Sequence, residues 1–268
     1  MTRDPWQLLD DAGTVLAVHA HPDDESLSTG ALIASLAAAG TRVVLVTATR
    51  GEEGEIVPGS VAADDPRSLE EIRQTEIDAA TNALGVAERH MLGTAPALAP
   101  GAAPRRYRDS GMQWVRDGLA GPSDTAGPTS FTHRPLEDAV TDLVALLEHV
   151  RPDVVIGYDD DGSYGHPDHV HAHHVTLEAC RRTGIPFVEV ASGERPAGEE
   201  SAGEETDGEK TGISWREHPG TGAAVHRAID AYRTQLTVVG RDENGVAIRH
   251  VGGQDDLIAL RTGLHPVR

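Results

Sequence analysis

Two boxes of histidine and carboxylate residues stand far apart in this chain of 268 residues. The first reads His19-Ala20-His21-Pro22-Asp23-Asp24-Glu25, and the second reads Tyr164-Gly165-His166-Pro167-Asp168-His169. A hydrolytic zinc site needs about three protein ligands and one open position for water, and it binds histidine nitrogens and carboxylate oxygens. Together the two boxes therefore carry enough donors for one metal-dependent hydrolytic site.

Spacing within the boxes suggests which residues bind and which react. His21 and Asp24 are three residues apart, so both can face one point from a tight turn that enters a helix. His169 or His166 is the natural third ligand. Asp23, beside the metal but not on it, can take a proton from water. The remaining histidine can steady an oxyanion or protonate a leaving group.

Other interpretations of the same residues remain open. A His-Pro-Asp turn can simply cap a helix, since Asp caps helix starts and Pro is common in the first turn. His21, Asp24 and His169 also form the two-histidine, one-carboxylate set of non-haem Fe(II) oxygenases. Those enzymes usually use a double-stranded β-fold, which this chain does not indicate. A non-catalytic binding protein with a vestigial metal site is a further alternative, disfavoured because Asp23, the presumed base, is intact.

The elements around the boxes predict that the boxes meet in space. Val15–Val18 is a short apolar run before the first box, and Val154–Tyr158 is another before the second. Ser26–Ala39 reads as a helix stopped by Gly40, and Arg42–Thr49 as the next strand. A strand, a helix and a strand at this spacing form a βαβ unit, which favours a parallel sheet. Ligands bind at the carboxyl ends of such strands.

The whole chain is expected to form a Rossmann-like α/β fold, with a mostly parallel sheet flanked by helices and a small C-terminal appendage. The expected parts are a catalytic α/β domain over 1–191, an acidic loop over 192–220 and a C-terminal helix and strand over 221–268. Further expected elements are a capping-box helix from Ser68 to Leu84, a strand at Arg89–Gly93, a long loop at Ala95–Phe131, a helix at Pro135–Val150, a flexible acidic segment at Glu194–Lys210, a helix at Ala223–Leu236 and an edge strand at Val246–Val251.

Composition limits the partners. The formal net charge of −20 argues against nucleic acids and anionic membranes, which attract basic surfaces. Because Cys180 is the single cysteine, an intrachain disulfide is excluded, and its side chain is expected to pack in the core and not to act as a catalyst. Met1–Asp11 lacks the pattern of a signal peptide, and no apolar run reaches the roughly 20 residues of a membrane span. The expected location is the cytoplasm, and the oligomeric state is unknown.

The paired boxes resemble those of the PIG-L/LmbE family of zinc-dependent N-deacetylases, which act on N-acetylglucosamine-containing glycoconjugates. The resemblance covers about Val15–Ala191, with a weaker similarity at Tyr232–Gln235. It is strongest to the branch that deacetylates N-acetylglucosaminyl-inositol on the way to mycothiol, which shares Gly51–Glu55, Arg106–Met112 and Gly165–His169 in similar order. The acidic segment replaces a longer structured region of those relatives.

The resemblance implies hydrolysis of an N-acetyl amide, a carbon–nitrogen bond other than a peptide bond, with Zn²⁺, or Fe²⁺ in the cell. Its implied roles are zinc ligation by His21, Asp24 and His169, general base catalysis by Asp23, carbonyl polarisation or acid catalysis by His166 oriented by Asp168, oxyanion binding by Tyr164, and contacts to a small amino-sugar substrate by Arg73, Asp109, Glu55 and Met112. Two alternatives use the same site: a mycothiol S-conjugate amidase, which tends to have Pro where this chain has Gly165, and a deacetylase of an amino-sugar natural product.

Overall fold

A seven-stranded sheet forms the centre of the molecule. The computed structural model describes residues 3–116, 119–121, 123–124, 126–192 and 212–267, so the acidic segment Glu194–Lys210 lies outside the described residues. The elements in chain order are α1 (Pro5–Asp10), β1 (Thr14–His19), α2 (Asp24–Leu27), α3 (Gly30–Ala38), β2 (Arg42–Thr47), α4 (Leu69–Leu84), β3 (Glu88–Met91), β4 (Gln113–Arg116), β5 (Leu119–Gly121), α5 (Leu136–Val150), β6 (Val154–Tyr158), α6 (Gly162–Gly165), α7 (Pro167–Thr183), β7 (Phe187–Val190), β8 (Ser214–Glu217), α8 (Gly222–Ala231), β9 (Leu236–Arg241), β10 (Gly245–His250), β11 (Asp255–Ala259) and β12 (Arg261–Leu264).

The strand order explains where a ligand can bind. The main sheet runs β3-β2-β1-β6-β7-β12-β8, with β1 pairing in parallel with β2 on one side and with β6 on the other. The chain thus moves outward from β1 in one direction and then in the other, and crevices for ligands open at such switch points. The expected α/β fold with a mostly parallel sheet is confirmed, and both boxes follow the two strands that meet at the switch point.

The central strands β1, β2 and β6 are buried on both faces, as their apolar residues require. Alternate residues of β1 point to opposite faces. Val15 and Ala17 pack in a core with α3, α4 and α8, whereas Leu16 and Val18 pack in a second core with α5 and α7. Helices therefore cover both sides and leave the strand ends as the open edge.

One predicted helix is divided in the structure, and another is observed as expected. The helix expected over Ser26–Ala39 is divided into α2 and α3 at Thr29, whose φ of −129° is not helical and whose hydroxyl bonds to Glu25 O and His19 Nε2. In contrast, α4 begins after Ser68 with the expected capping box and ends at Leu84 before Gly85, whose φ is 81°.

The C-terminal part contains more strands than the sequence pattern indicated. The segment at Val246–Val251 was expected to be an edge strand, but β10 is the central strand of an antiparallel sheet ordered β11-β10-β9. Tight turns join these strands, and Asp242 Oδ1 accepts hydrogen bonds from the N–H groups of Asn244 and Gly245 in one of them. The helix expected to reach Leu236 ends at Ala231. Outside the C-terminal part, the long loop expected at Ala95–Phe131 contains β4 and β5, which pair with each other.

Strands β12 and β8 extend the main sheet with antiparallel pairing. Cys180 is buried in α7, as expected of a packing residue, and burial raises the pKa of its thiol to about 12. Within the described ranges, no helix is both long and apolar enough to cross a membrane.

Candidate active site

The two boxes meet at the carboxyl ends of β1 and β6. His19 is the last residue of β1, and the turn after it carries His21, Asp23 and Asp24 into α2. Tyr158 ends β6, and the second box starts in α6 and continues into α7. Asp23 has a φ of 109°, a backbone conformation that is costly for a residue with a side chain. Such outliers concentrate at functional sites, and this one lies beside the residues expected to bind a metal.

Donor atoms of His21, Asp24 and His169 form a close triangle. His21 Nδ1 lies 3.2 Å from His169 Nε2 and 3.3 Å from Asp24 Oδ2, and His169 Nε2 lies 3.3 Å from Asp24 Oδ1. Ligands on a tetrahedral zinc ion, each about 2.0–2.1 Å from the metal, are separated from one another by about 3.3 Å. The structure therefore brings together the three residues expected as ligands at a spacing that fits a metal ion.

Two other groups of donors overlap this triangle. A ring nitrogen of His166 lies within 4.8 Å of nitrogens on His21 and His169, and the carboxylates of Asp109 and Asp168 lie equally close to His21. Burial by itself would lower the pKa of His21, but the surrounding carboxylates raise it well above its usual value. The pocket is consequently suited to positive charge.

Asp168 pairs with a different histidine from the one expected. Its Oδ2 accepts hydrogen bonds from His21 Nε2 at 3.1 Å and from Ser110 N–H at 2.9 Å. Asp168 Oδ2 therefore holds His21, and Asp168 Oδ1 has no hydrogen-bond partner among the described residues, so orientation of His166 by this carboxylate stays a prediction. A carboxylate on the second nitrogen of a ligand histidine fixes its tautomer and makes it more basic.

His166 is the N-cap of α7, and the capping hydrogen bond determines which ring nitrogen of His166 carries the proton. Its Nδ1 accepts a hydrogen bond from Asp168 N–H at 3.2 Å, so the proton of the neutral ring is on Nε2. Burial, with His21 and His169 nearby, lowers the pKa of His166 to about 3. His166 thus presents a neutral N–H donor. Tyr164 is half exposed at the rim, with its ring edge toward His166 and His169.

Asp23 is held by a residue from the C-terminal part of the chain. Gln235 Nε2 donates hydrogen bonds to Asp23 Oδ2 at 2.6 Å and to Pro22 O at 2.8 Å. Burial and the neighbouring Asp24 raise the pKa of Asp23 well above its usual value. Sequence reasoning assigned Gln235 no role, although the weak similarity at Tyr232–Gln235 was a signal for it.

A second bond from the same segment supports this turn. Tyr232 OH donates to Glu25 Oε1 at 2.7 Å, and Glu25 Oε2 accepts a hydrogen bond from Asp23 N–H at 3.2 Å. Glu25 is fully buried, and burial raises its pKa. The turn after α8 therefore joins the C-terminal part to the first box.

Tyr158 is a further residue that sequence reasoning treated only as a strand end. Its hydroxyl donates to Asp24 Oδ2 at 2.6 Å and accepts a hydrogen bond from Ala20 N–H at 3.0 Å. Its ring stacks on His169, with the ring centroids 4.4 Å apart. Nothing in the sequence distinguished this tyrosine from other apolar residues of the strand.

The residues expected to contact substrate differ in accessibility. Asp109 lies against the site, with its Oδ1 3.5 Å from His21 Nε2. Burial would raise the pKa of Asp109, but His21 lowers it below the usual range, so the carboxylate is ionised. Met112 is half-buried, and the side chain of Glu55 is exposed.

Arg73 is not placed as a direct sugar contact. Only 1% of the residue is exposed, and its guanidinium donates to the backbone carbonyls of Gly51, Gly54 and Glu55. Arg73 therefore holds the 51–55 loop through its two terminal nitrogens, while its buried Nε has no hydrogen-bond partner among the described residues. The expectation of a sugar-binding arginine is replaced by a role in shaping the wall of the site.

Comparison with known proteins agrees with this architecture. Residues 16–180 match the family described as PIG-L: GlcNAc-PI de-N-acetylase. The 1D-myo-inositol 2-acetamido-2-deoxy-alpha-D-glucopyranoside deacetylases of Kineococcus radiotolerans and of a Nocardioides species are 43% identical over 171 residues and 45% identical over 175 residues. Each match covers 64% of this chain, and 45% and 55% of the respective relative. The chain thus spans about half the length of these curated relatives.

A solved structure shares nearly the whole fold. The A40926 pseudoaglycone deacetylase Dbv21 superposes with a TM-score of 0.60 over 96% of this chain and 98% of that protein, at 21% sequence identity. At this identity the likeness establishes the fold alone. The family match spans both boxes and the strands that carry them, and the chain therefore belongs to the PIG-L, or GlcNAc-PI de-N-acetylase, family.

Proposed function

We propose that the protein hydrolyses the N-acetyl amide of a glucosamine-containing small molecule, with N-acetylglucosaminyl-inositol as the leading candidate. The observation that carries this proposal is the triangle of His21, Asp24 and His169 donors with Asp23 beside it. The relatives named as deacetylases of this inositol glycoside support the substrate.

His21, Asp24 and His169 would hold the metal ion, and zinc suits their mixed nitrogen and oxygen donors. When bound there, zinc supplies Lewis-acid chemistry, which acidifies water and polarises an amide carbonyl. His166 is kept out of the ligand set in this proposal, because its Nδ1 is already used by Asp168 N–H. Fe²⁺ could occupy the same donors.

Asp23 would be the general base. Gln235 occupies its Oδ2, which leaves Oδ1 to accept a proton from the attacking water. The raised pKa of Asp23 favours retention of that proton until the carbon–nitrogen bond breaks. The proton then passes to the amine nitrogen, so that one water and one amide become acetate and a free amine.

His166 would stabilise the negative charge that develops on the carbonyl oxygen. Its Nε2–H needs no change of protonation to donate a hydrogen bond there. Tyr164, exposed at the rim, would supply a second donor once substrate covers it. Asp109 would accept hydrogen bonds from sugar hydroxyls, and Met112 and Glu55 would line the aglycone side.

Charge favours a neutral substrate over a phosphorylated one. The chain has a net charge of −20, and Glu52, Glu53 and Glu55 lie in the loop beside Asp109. Because Arg106 pairs with Glu52 and Arg108 pairs with Glu53, the repulsion of a phosphate group comes from the net negative charge of the whole chain more than from this loop. An inositol glycoside without phosphate therefore fits better than its phosphatidyl form.

The test measures acetate release from N-acetylglucosaminyl-inositol, from its phosphatidyl form and from N-acetylglucosamine, and release of the free amino sugar from a mycothiol S-conjugate. Each is assayed with zinc-loaded and with chelator-treated protein. Metal-dependent acetate release from the inositol glycoside is expected to be fastest. Cleavage of the S-conjugate alone would favour the amidase, and no reaction with any of the four by zinc-loaded protein would contradict the proposed substrate.

A further inference from the structure

The hydroxyl of Tyr158 has both of its hydrogen-bonding directions fixed. Tyr158 is 4% exposed at the end of β6, and its oxygen accepts a hydrogen bond from Ala20 N–H at 3.0 Å. A backbone N–H can only donate, and a hydroxyl has one proton to give. That proton therefore lies toward Asp24 Oδ2, 2.6 Å away.

The two oxygens of Asp24 are consequently unequal. Oδ2 accepts one hydrogen bond from Tyr158 OH and a second from the backbone N–H of His21 at 2.8 Å. A carboxylate oxygen offers about two lone-pair sites, and both sites of Oδ2 are used. Oδ2 also lies 3.3 Å from His21 Nδ1, which is one edge of the donor triangle, whereas Oδ1 faces His169 Nε2 at 3.3 Å. Only Oδ1 is left with lone pairs for an ion.

The ring of the same tyrosine restrains a second donor. It stacks on the His169 imidazole with an interplanar angle of 9° and 4.4 Å between ring centroids. A ring held flat against a neighbour cannot turn freely about its χ2 angle. His169 Nε2 therefore stays directed toward His21 Nδ1, 3.2 Å away.

We propose that Tyr158 is a positioning residue of the metal site, which makes Asp24 bind the ion through Oδ1 alone and holds His169 in its ligand orientation. Binding through one oxygen leaves a coordination position open for water, whereas binding through both oxygens would fill it. This inference rests on the proposed function only in taking His21, Asp24 and His169 as the metal ligands.

If Tyr158 had a purely structural role, its hydroxyl would affect the stability of the fold but not the affinity for metal. Tyr107 shows what such a role looks like: it is fully buried, and its hydroxyl donates to Asp142 Oδ2 on α5 at 2.8 Å. If Tyr158 only filled space, then removing its hydroxyl would lower stability, as it would for Tyr107, but would leave metal affinity unchanged.

The experiment compares Tyr158→Phe with the matched control Tyr107→Phe, since each loses one buried bond from tyrosine to aspartate. Metal-free protein is titrated with zinc in competition with a chromogenic chelator, and circular dichroism checks the fold. Residues that orient ligands typically change metal affinity by about 10- to 100-fold, so we expect the Kd of Tyr158→Phe to rise by that factor. Tyr107→Phe should keep the wild-type Kd.

A Kd for Tyr158→Phe within about twofold of the wild-type value would overturn the inference. If that variant does not fold, the crystal structure of the zinc-loaded wild-type protein decides: Asp24 should bind through Oδ1 with Oδ2 still on Tyr158, and ligation through Oδ2 or through both oxygens would overturn it. The assay uses no substrate, so zinc binding without acetate release would contradict the proposed function and leave this inference standing.

Discussion

Gln235 offers a sharp test of how the base is controlled, because it reaches Asp23 from outside the region that matches the family. The change is Gln235→Met, which keeps the length of the side chain and removes both N–H donors. Gln235 donates to Asp23 Oδ2 at 2.6 Å, and a hydrogen bond to an ionised group contributes about 1.5–3 kcal/mol. Removing it therefore destabilises the charged form of Asp23.

The sign of the effect follows directly. A donor to a carboxylate favours the ionised form, so its loss raises the pKa of Asp23 further. About 1.4 kcal/mol corresponds to a tenfold change in the protonation equilibrium. Because water can replace part of the lost bond, we expect the acidic limb of the profile of kcat/KM against pH to move up by about 1 pH unit. At a pH below that limb, kcat/KM of the variant should be about tenfold lower than that of the wild-type protein.

The assay is acetate release across pH with zinc-loaded protein, together with the metal content of each variant. Gln7→Met is the matched control, since Gln7 is an exposed residue of α1 and donates to Asp11 at 3.0 Å. Zinc content should stay at the wild-type level in both variants, because the hydrogen bonds of Gln235 go to Pro22 and Asp23 and not to the three donor residues. An acidic limb at the wild-type position in Gln235→Met would refute the reasoning.

Three further outcomes are expected. Asp23→Ala should keep its zinc but lose at least about 100-fold in kcat, and near wild-type turnover would exclude Asp23 as the base. In Arg73→Lys the ammonium group cannot span the loop carbonyls of Gly51 and Gly54, so the variant should lose about 2 kcal/mol of stability. Calorimetry should then show a melting temperature about 4–8 °C lower. An unchanged melting temperature would contradict the role of Arg73 in the wall. Zinc at 100 times its Kd should stabilise the folded protein by about 2.7 kcal/mol, an effect that Asp24→Asn should remove.

Much of the architecture was readable from local patterns. The strand at Val154–Tyr158 and the helix at Pro135–Val150 were predicted within a residue of their observed bounds, since apolar periodicity and flanking turns are local properties. The break between α2 and α3 was not predicted; it lies at Thr29, whose hydroxyl bonds to His19 on another element. The order of the C-terminal strands likewise depends on pairing between distant segments.

What the sequence alone determined is the set of reacting groups: two boxes whose residue types and position after buried strands predict a metal-dependent site at one edge of a parallel sheet. Only the tertiary structure decided how those groups are paired. It placed the Asp168 carboxylate on His21, turned Arg73 beneath its loop, and brought Tyr158 and Gln235 to Asp24 and Asp23. Spacing along the chain fixes neighbours on one element, whereas partners from different elements depend on side-chain directions that exist only after the elements have packed.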